Sequence, residues 1–308
     1  MNAATPSPAG GAGLTVIAGP TASGKTALAI ELAKRLEAEI ISADSQQVYR
    51  HFDIGTAKPS AAELAAVPHH LISIADPLED FSAARFGKLA DEAIARIHQR
   101  GKKVIVVGGT GLYLRVLLHG VMPGPSRDEA LRGELEAFAD REGNAALHAR
   151  LAQIDPVTAA KHPVQDRLRV IRALEIHQLT GRPASEHREE HAFAADRYEY
   201  RLFVLNPPRE RVYEAINLRT REMFESGLLE ETRALVEQGY REAAPMRAVG
   251  YVQALQVIDG ALTTQHAITD VAQKTRHYAK RQWTWFKKEK GATLLAPRGA
   301  LETILSGA

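Results

Sequence analysis

No cysteine occurs among the 308 residues, which excludes disulfides, thiolate-bound zinc and a cysteine nucleophile, and fits the reducing cytoplasm in which the protein is expected to act. Twelve histidines are present, yet none falls in H-E-x-x-H or a comparable ligand spacing, so zinc hydrolysis has no starting point. Long apolar runs are missing: no stretch approaches the roughly 20 residues that span a bilayer, and no membrane partner is expected. Charge of one sign is scarce as well. The formal net charge is only +2, so charged partners must be sought through local clusters rather than the whole chain. Met1 to Gly13, rich in Ala, Pro, Ser and Gly, lacks the basic and apolar regions of a signal peptide and reads as a disordered tail. Internal repeats are absent. With 45% apolar and 25% charged residues the remainder has ordinary globular composition, long enough for one large domain or two.

What the chain does contain is Gly19-Pro20-Thr21-Ala22-Ser23-Gly24-Lys25-Thr26, set between the apolar run Leu14 to Ala18 and the helical pattern Leu28 to Leu36. It matches G-x-x-x-x-G-K-[ST] in full, in the strand, loop and helix context that the motif requires. Such a loop curls backbone N–H groups around phosphate oxygens, and the new helix adds its positive end. Residues Gly19 to Thr26 are therefore the candidate diphosphate or nucleotide cradle. Lys25 supplies a point charge, and the Thr26 hydroxyl is placed to hold Mg2+, the one cofactor expected.

A second strand at Ile40-Ile41 ends in Ser42-Ala43-Asp44-Ser45-Gln46-Gln47. In a parallel α/β sheet ligands bind beyond the strand carboxyl ends, which would bring Asp44 to the phosphates. Asp44 with Gln47 three residues on also makes a fair capping box, and spacing alone does not choose. His51 to Pro59 reads as a loop in which Lys58 is either solvated or reaches an anion. His69 to Ile74 reads as a short strand with a structural histidine pair, Phe81 to His98 as a helix, and Lys103 to Val107 as a buried parallel strand. That strand ends in Gly108-Gly109-Thr110-Gly111, where a motor-type NTPase would carry an acidic residue. The missing carboxylate argues against ATP hydrolysis.

From Arg127 to Gly181 helical periodicity runs without a strand, with helices expected at Asp128 to Arg141, Asn144 to Gln153, Pro156 to Ala160 and Arg167 to Leu179. Strand character returns at Tyr200 to Leu205. The pattern implies an α/β core, 14–120 and 200–308, interrupted at roughly 121–199 by an all-helical insertion that begins near Met122-Pro123-Gly124-Pro125 and ends in the polar run Ser185 to Arg197. Further helices are expected at Glu210 to Phe224 and Leu228 to Glu237. In Lys274 to Lys290 basic residues alternate with Tyr278, Trp283, Trp285 and Phe286. Rings that stack on unpaired bases would give an RNA surface; an amphipathic helix with a basic outer face is the alternative, and the residues alone favour it.

Taken together, the pieces resemble the tRNA dimethylallyltransferase (tRNA isopentenyltransferase, or IPP transferase) family over essentially the whole chain after the tail. The matching stretches are Gly19 to Thr26, Ile41-Ser-Ala-Asp-Ser-Gln-Gln-Val-Tyr49, Asp53-Ile-Gly-Thr-Ala-Lys-Pro59, Gly108-Gly-Thr-Gly-Leu-Tyr113, Arg172-Ala-Leu-Glu175, Ala248-Val-Gly-Tyr251 and Lys280-Arg-Gln-Trp-Thr-Trp285. The resemblance implies a P-loop-type parallel sheet and transfer of a dimethylallyl group from dimethylallyl diphosphate to N6 of the adenosine 3′-adjacent to the tRNA anticodon. Asp44 then matches the proton acceptor, Lys25 and Arg219 the groups on the leaving diphosphate. Asp44, Ser45, Gln46, Gln47, Thr110, Arg132, Leu168, Arg169, Arg172, Arg247, Lys280, Arg281 and Gln282 fall on segments that contact the tRNA anticodon stem loop. Leu168-Arg169-Val170 stands where some relatives carry Gln-Arg-Leu. A monomer is expected. The alternatives are an adenylate isopentenyltransferase acting on free AMP, ADP or ATP, a small-molecule P-loop kinase, and a non-catalytic RNA-binding module.

Overall fold

The computed structural model describes residues 13–121, 124–191 and 196–307. The expected tail before Gly13, Met122-Pro123 and the end of the polar run lie outside them. The chain divides into two compact units, Met1–Leu118 with Asp196–Ala308, and His119–Ala195. In chain order the first unit holds β1 (Leu14–Ala18), α1 (Lys25–Leu36), β2 (Ala38–Ser42), α2 (Ala61–Ala66), β3 (His69–His70), α3 (Ala83–Gln99), β4 (Lys103–Gly108) and α4 (Gly111–His119). The second unit follows with α5 (Glu129–Glu142), α6 (Asn144–Ile154), α7 (Pro156–Lys161), α8 (Arg167–Thr180) and α9 (Ala184–His191). The first unit resumes with β5 (Tyr200–Leu205), α10 (Arg209–Glu225), α11 (Leu228–Glu237), α12 (Tyr251–Ile258), α13 (Thr264–Phe286), β6 (Ala292–Leu295) and α14 (Ala300–Leu305).

All six strands are parallel, in the order β3-β2-β4-β1-β5-β6. Because successive side chains point to opposite faces, Val16, Ile41 and Val106 pack beneath α3 with Phe86 and Ile94, while Ile17, Ile40 and Ile105 pack on the other side with Leu32 of α1 and Ile304 of α14. A central strand buried on both faces needs few polar side chains, and Leu14–Ala18 has only Thr15. The insertion of β4 between β1 and β2 matters most for function. Registers Ala18 with Gly108 and Ser42 with Val107 bring the carboxyl ends of the three strands side by side, so the loops after them open on one crevice.

The strand predicted over His69 to Ile74 stops at His70, because Leu71 (φ 64°) and Ser73 (φ 53°) take left-handed conformations that a ladder does not accommodate. The histidine pair is structural, as read: His70 Nε2 lies 2.6 Å from Glu39 Oε2 and His69 Nδ1 2.8 Å from Val67 O. Of the aromatics of Lys274 to Lys290, Trp283 and Phe286 are buried and offer no face to a base, whereas Tyr278 is exposed and Trp285 half-buried. Along α13, Ala279, Gln282, Trp283 and Phe286 recur with helical spacing on the buried face, and Lys280, Arg281, Lys287 and Lys288 lie exposed. The helix is amphipathic with a basic outer face, as the second reading expects.

The second unit has its own core of Leu135, Leu147, Leu151, Val170, Ile171 and Leu174. Its helices start where side chains cap them: Asp128 Oδ1 accepts from Leu131 N (2.9 Å) and Asp155 Oδ1 from Thr158 N (2.9 Å). The exit run, expected as a polar connector, includes helix α9 instead. Glu175 is fully buried in this unit. It accepts from Arg132 Nε and Nη2 (both 2.9 Å), Arg172 Nη1 (2.6 Å) and Asp128 N (2.8 Å). Burial opposes its ionisation, but the hydrogen bonds outweigh burial and hold its pKa to about 2.

Candidate active site

The glycine loop leaves β1 and enters α1 through Gly24, whose φ of +87° suits a residue without a Cβ. Lys25 Nζ bends back to donate to Pro20 O at 2.5 Å. Burial of that ammonium, helped by the neighbouring Arg219 charge and opposed by Asp44, brings its pKa down to about 7. Arg219 reaches the same place from α10, 198 residues along the chain, and donates through Nη2 to Thr21 Oγ1 at 2.6 Å. Burial pulls the guanidinium below its ordinary value, with Asp44 acting the other way; an arginine nonetheless stays charged. Among the described residues no acceptor meets the amides of Ala22, Ser23, Gly24, Lys25 or Thr26. These five residues and both cations line one cavity.

Asp44 stands beyond β2. Its Oδ1 accepts from Gln46 N (2.8 Å) and Gln47 N (3.3 Å), which fixes the turn that follows; Ser45 to Val48 form turns rather than the helix a capping box would start. Oδ2 receives no hydrogen bond among the described residues. Thr110, after β4, accepts from Ser45 N at 3.1 Å and ties the two strand ends together. Tyr278 of α13, named from the sequence among the rings interleaved with basic residues, lines the same cavity. Burial, then the Asp44 charge, pushes its phenol up to about 12, so it stays protonated beside the carboxylate.

These groups border a cavity of about 670 Å³ lined by the glycine loop, Asp44 to Gln47, Gly108, Gly109 and Arg219, together with Gly55 to Ala57 and Arg247 to Val249. A single carboxylate, Glu231, holds the last two segments. It accepts from Asp53 N (3.1 Å), Ile54 N (2.8 Å), Gly55 N (3.3 Å) and the fully buried Tyr251 hydroxyl (2.6 Å). A Cβ on Gly55 would lie 2.5 Å from the Tyr251 ring, so the motifs Asp53 to Pro59 and Ala248 to Tyr251 are two halves of one contact. Lys58 is neither solvated nor free for an anion: Nζ donates to Tyr49 O (2.5 Å) and Asp53 Oδ1 (2.6 Å) within the loop.

The sequence pattern of the IPP transferase family matches residues 47–289. The chain belongs to the IPP transferase family. It is 65% identical over 284 residues to a tRNA dimethylallyltransferase of Myxococcus xanthus, covering 92% of each chain, and 53% identical to one of an Anaeromyxobacter species, covering 92% of this chain and 94% of that one. A crystal structure of the full-length tRNA isopentenylpyrophosphate transferase of Bacillus halodurans is similar with TM-score 0.70, 42% identity and 96% of each chain covered. That of a eukaryotic dimethylallyltransferase acting on tRNA has TM-score 0.79 and 30% identity, covering 96% of this chain and 76% of that one.

In this IPP transferase family member the residues expected to touch RNA divide sharply. Lys280, Arg281 and Arg247 are exposed, and in the second unit Leu168 (73% exposed) and Arg169 point outward, Arg169 paired with Asp166. Arg132 and Arg172 are committed to Glu175, and Arg172 also donates to Pro125 O at 2.9 Å. Gln47 Nε2 donates to Ala57 O (3.0 Å) while its Oε1 accepts from Ser42 Oγ (3.1 Å). Gln282 is buried and bonded within the protein at both ends of its amide. Gln46 Oε1 is buried and meets no donor among the described residues, which leaves an acceptor at the cavity wall.

Proposed function

We propose that this chain transfers a dimethylallyl group from dimethylallyl diphosphate to N6 of the adenosine 3′-adjacent to the tRNA anticodon, releasing diphosphate. The observation that carries the reading is the convergence of Lys25, Arg219 and Asp44 on a cavity of mixed lining that also presents the apolar side chains of Ala215, Met223, Ala248, Val249 and Val271. Cations and loop amides suit a diphosphate, the apolar side chains suit a five-carbon chain, and the carboxylate suits an attacking amine. A kinase would need none of those apolar side chains. The strand end Gly108-Gly109-Thr110 offers no acid for water activation either.

In the transfer, the N6 lone pair forms a bond to C1 of the donor while the C1–O bond breaks and its electron pair leaves on the diphosphate. Adenine N6 is a weak nucleophile, so removal of its proton as the bond forms lowers the barrier. Asp44 is built for that: Oδ1 is anchored by two amides and Oδ2 is open to take the proton. Charge gathers on the leaving oxygens, and Lys25, Arg219 and the loop amides, which line the cavity, would stabilise it increasingly toward the transition state. Thr26 would hold Mg2+, which neutralises diphosphate charge when bound. Among the described residues no three His, Asp or Glu side chains could cage a metal, and this fits an ion that takes one or two protein oxygens plus substrate phosphates.

The helical unit and the exposed basic face of α13 supply the RNA contacts in this reading, the unit gripping the anticodon stem loop while the target base is turned out of its stack. No helix among the described residues is long and apolar enough to cross a membrane, in keeping with cytoplasmic work on tRNA. The test is direct. Purified protein, Mg2+, labelled dimethylallyl diphosphate and unmodified tRNA should yield N6-dimethylallyladenosine; label appearing on free AMP but not on tRNA would favour the adenylate enzyme instead.

A further inference from the structure

Gln282 is 6% exposed, and its amide bridges two segments far apart in sequence. Oε1 accepts from Thr21 N at 2.8 Å, in the glycine loop; Nε2 donates to Gly109 O at 2.9 Å, next to Thr110. The fit is close. A Cβ on Gly109 would come within 2.3 Å of Nε2, so the second glycine of Gly108-Gly109-Thr110-Gly111 is what lets the side chain in. Thr21 is also held from the opposite side, by Arg219 on Oγ1. Thr21 is therefore held through both its backbone amide and its side-chain hydroxyl, while the next five residues line the cavity with no acceptor on their amides among the described residues.

We propose that Gln282 is a positioning residue for the donor-binding loop rather than a reader of RNA. The inference rests on the diphosphate reading of that loop. A glycine-rich loop left to itself samples many conformations, and gathering its amides around an anion then costs conformational entropy at the moment of binding. Pinning Thr21 removes that cost beforehand. Because the same amide holds Gly109, one side chain also fixes the donor loop against the strand end that carries Thr110, so both substrates meet in one fixed frame. Sequence reasoning placed Gln282 on an RNA-contacting helix. The helix does present basic residues outward, but this position faces inward.

Gln282→Met keeps the volume and loses both hydrogen bonds. Calorimetry with inorganic diphosphate and Mg2+, without RNA, should show roughly tenfold weaker binding than the parent, the effect of losing the one of the two bonds that holds the glycine loop, at Thr21 N. The KM for dimethylallyl diphosphate should rise in proportion, while tRNA affinity and its salt dependence hold. Gly109→Ala disturbs the same bridge from the other side and should reproduce the donor-side loss. Diphosphate binding unchanged in the methionine variant overturns the proposal, whether or not tRNA affinity falls. So does a lowered melting temperature with equal loss of both ligands, which would make Gln282 only a packing residue. If the parent protein binds no diphosphate, the donor reading fails and takes this one with it; a parent that binds, with an unaffected variant, sinks the positioning role alone.

Discussion

Diphosphate binding should weaken as the pH rises through 7, and a single residue should account for it. Lys25 is held to about 7 in the unliganded protein, so roughly half of it is charged at pH 7 and roughly a tenth at pH 8. An anion brought against the ammonium favours the charged form and raises that pKa. Binding at pH 8 must then take up roughly 0.9 proton on Lys25, and at pH 6 only about 0.1. Affinity is highest on the acid side and falls about tenfold per unit above pH 7, until the pKa of the complex is passed. Calorimetry at both pH values in two buffers of different ionisation enthalpy counts the protons. Titration of the diphosphate itself appears equally in Lys25→Ala, so the difference between the two proteins isolates the lysine. Equal proton counts at pH 8 would mean that the ammonium is already charged and that its burial in the empty loop does not matter. The causes can be separated too. Removing the Asp44 charge takes away a force that raises this pKa, and Asp44→Asn should shift the transition to lower pH; Arg219→Gln should shift it upward.

Asp44→Asn keeps the oxygen that accepts from Gln46 and Gln47, so the turn should survive while turnover falls roughly 100-fold or more at little change in tRNA affinity; near-parental turnover would leave Asp44 a purely architectural role. Glu175→Gln leaves Arg132 and Arg172 without their shared counter-charge and should destabilise the protein by roughly 3 kcal/mol in urea unfolding. Since the Glu175 pKa is held to about 2 against an ordinary 4.5, its ionic contribution is complete above pH 4.5 and is lost as pH falls toward 2, and the glutamine variant should flatten that acid limb of the stability curve. Lys280→Glu with Arg281→Glu should raise the KM for tRNA and flatten its log–log salt dependence by roughly 0.7 to 0.9 per lost phosphate contact, with diphosphate binding untouched; an unchanged slope would make the outer face of α13 merely solvated.

How much of this could be read in the sequence depended on whether the signal was local. The glycine loop is contiguous, and the helices of the second unit announce themselves by caps such as Asp128 and Asp155, so both were legible within a residue or two. Arg219 was placed only through the family resemblance, since nothing near it says that Thr21, 198 residues away, lies within 2.6 Å. The Glu231 clamp on Asp53 to Gly55 had no signal at all, because an exposed-looking Glu on an amphipathic helix gives no hint that three backbone amides 176 to 178 residues earlier will converge on it.

The aromatic stretch of α13 is instructive, because helical phase separates its buried rings from its exposed cations where composition alone does not. Cations interleaved with rings suggest stacking on bases only if both lie on one side of the helix. Ala279, Gln282, Trp283 and Phe286 follow an i, i+3, i+4, i+7 pattern, which is the buried stripe of an amphipathic helix, and the lysines and arginines fall between. Helical phase alone assigns Trp283 and Phe286 to the core. What phase cannot say is why a glutamine shares that stripe. An amide in an apolar row has to find partners for its donor and its acceptor, so a buried Gln among Trp and Phe is itself a prediction that two backbone groups from elsewhere meet it there. In this fold those groups are the amide of the donor loop and the carbonyl beside Thr110, and that is why the helix bearing the basic face also holds the reaction site in shape.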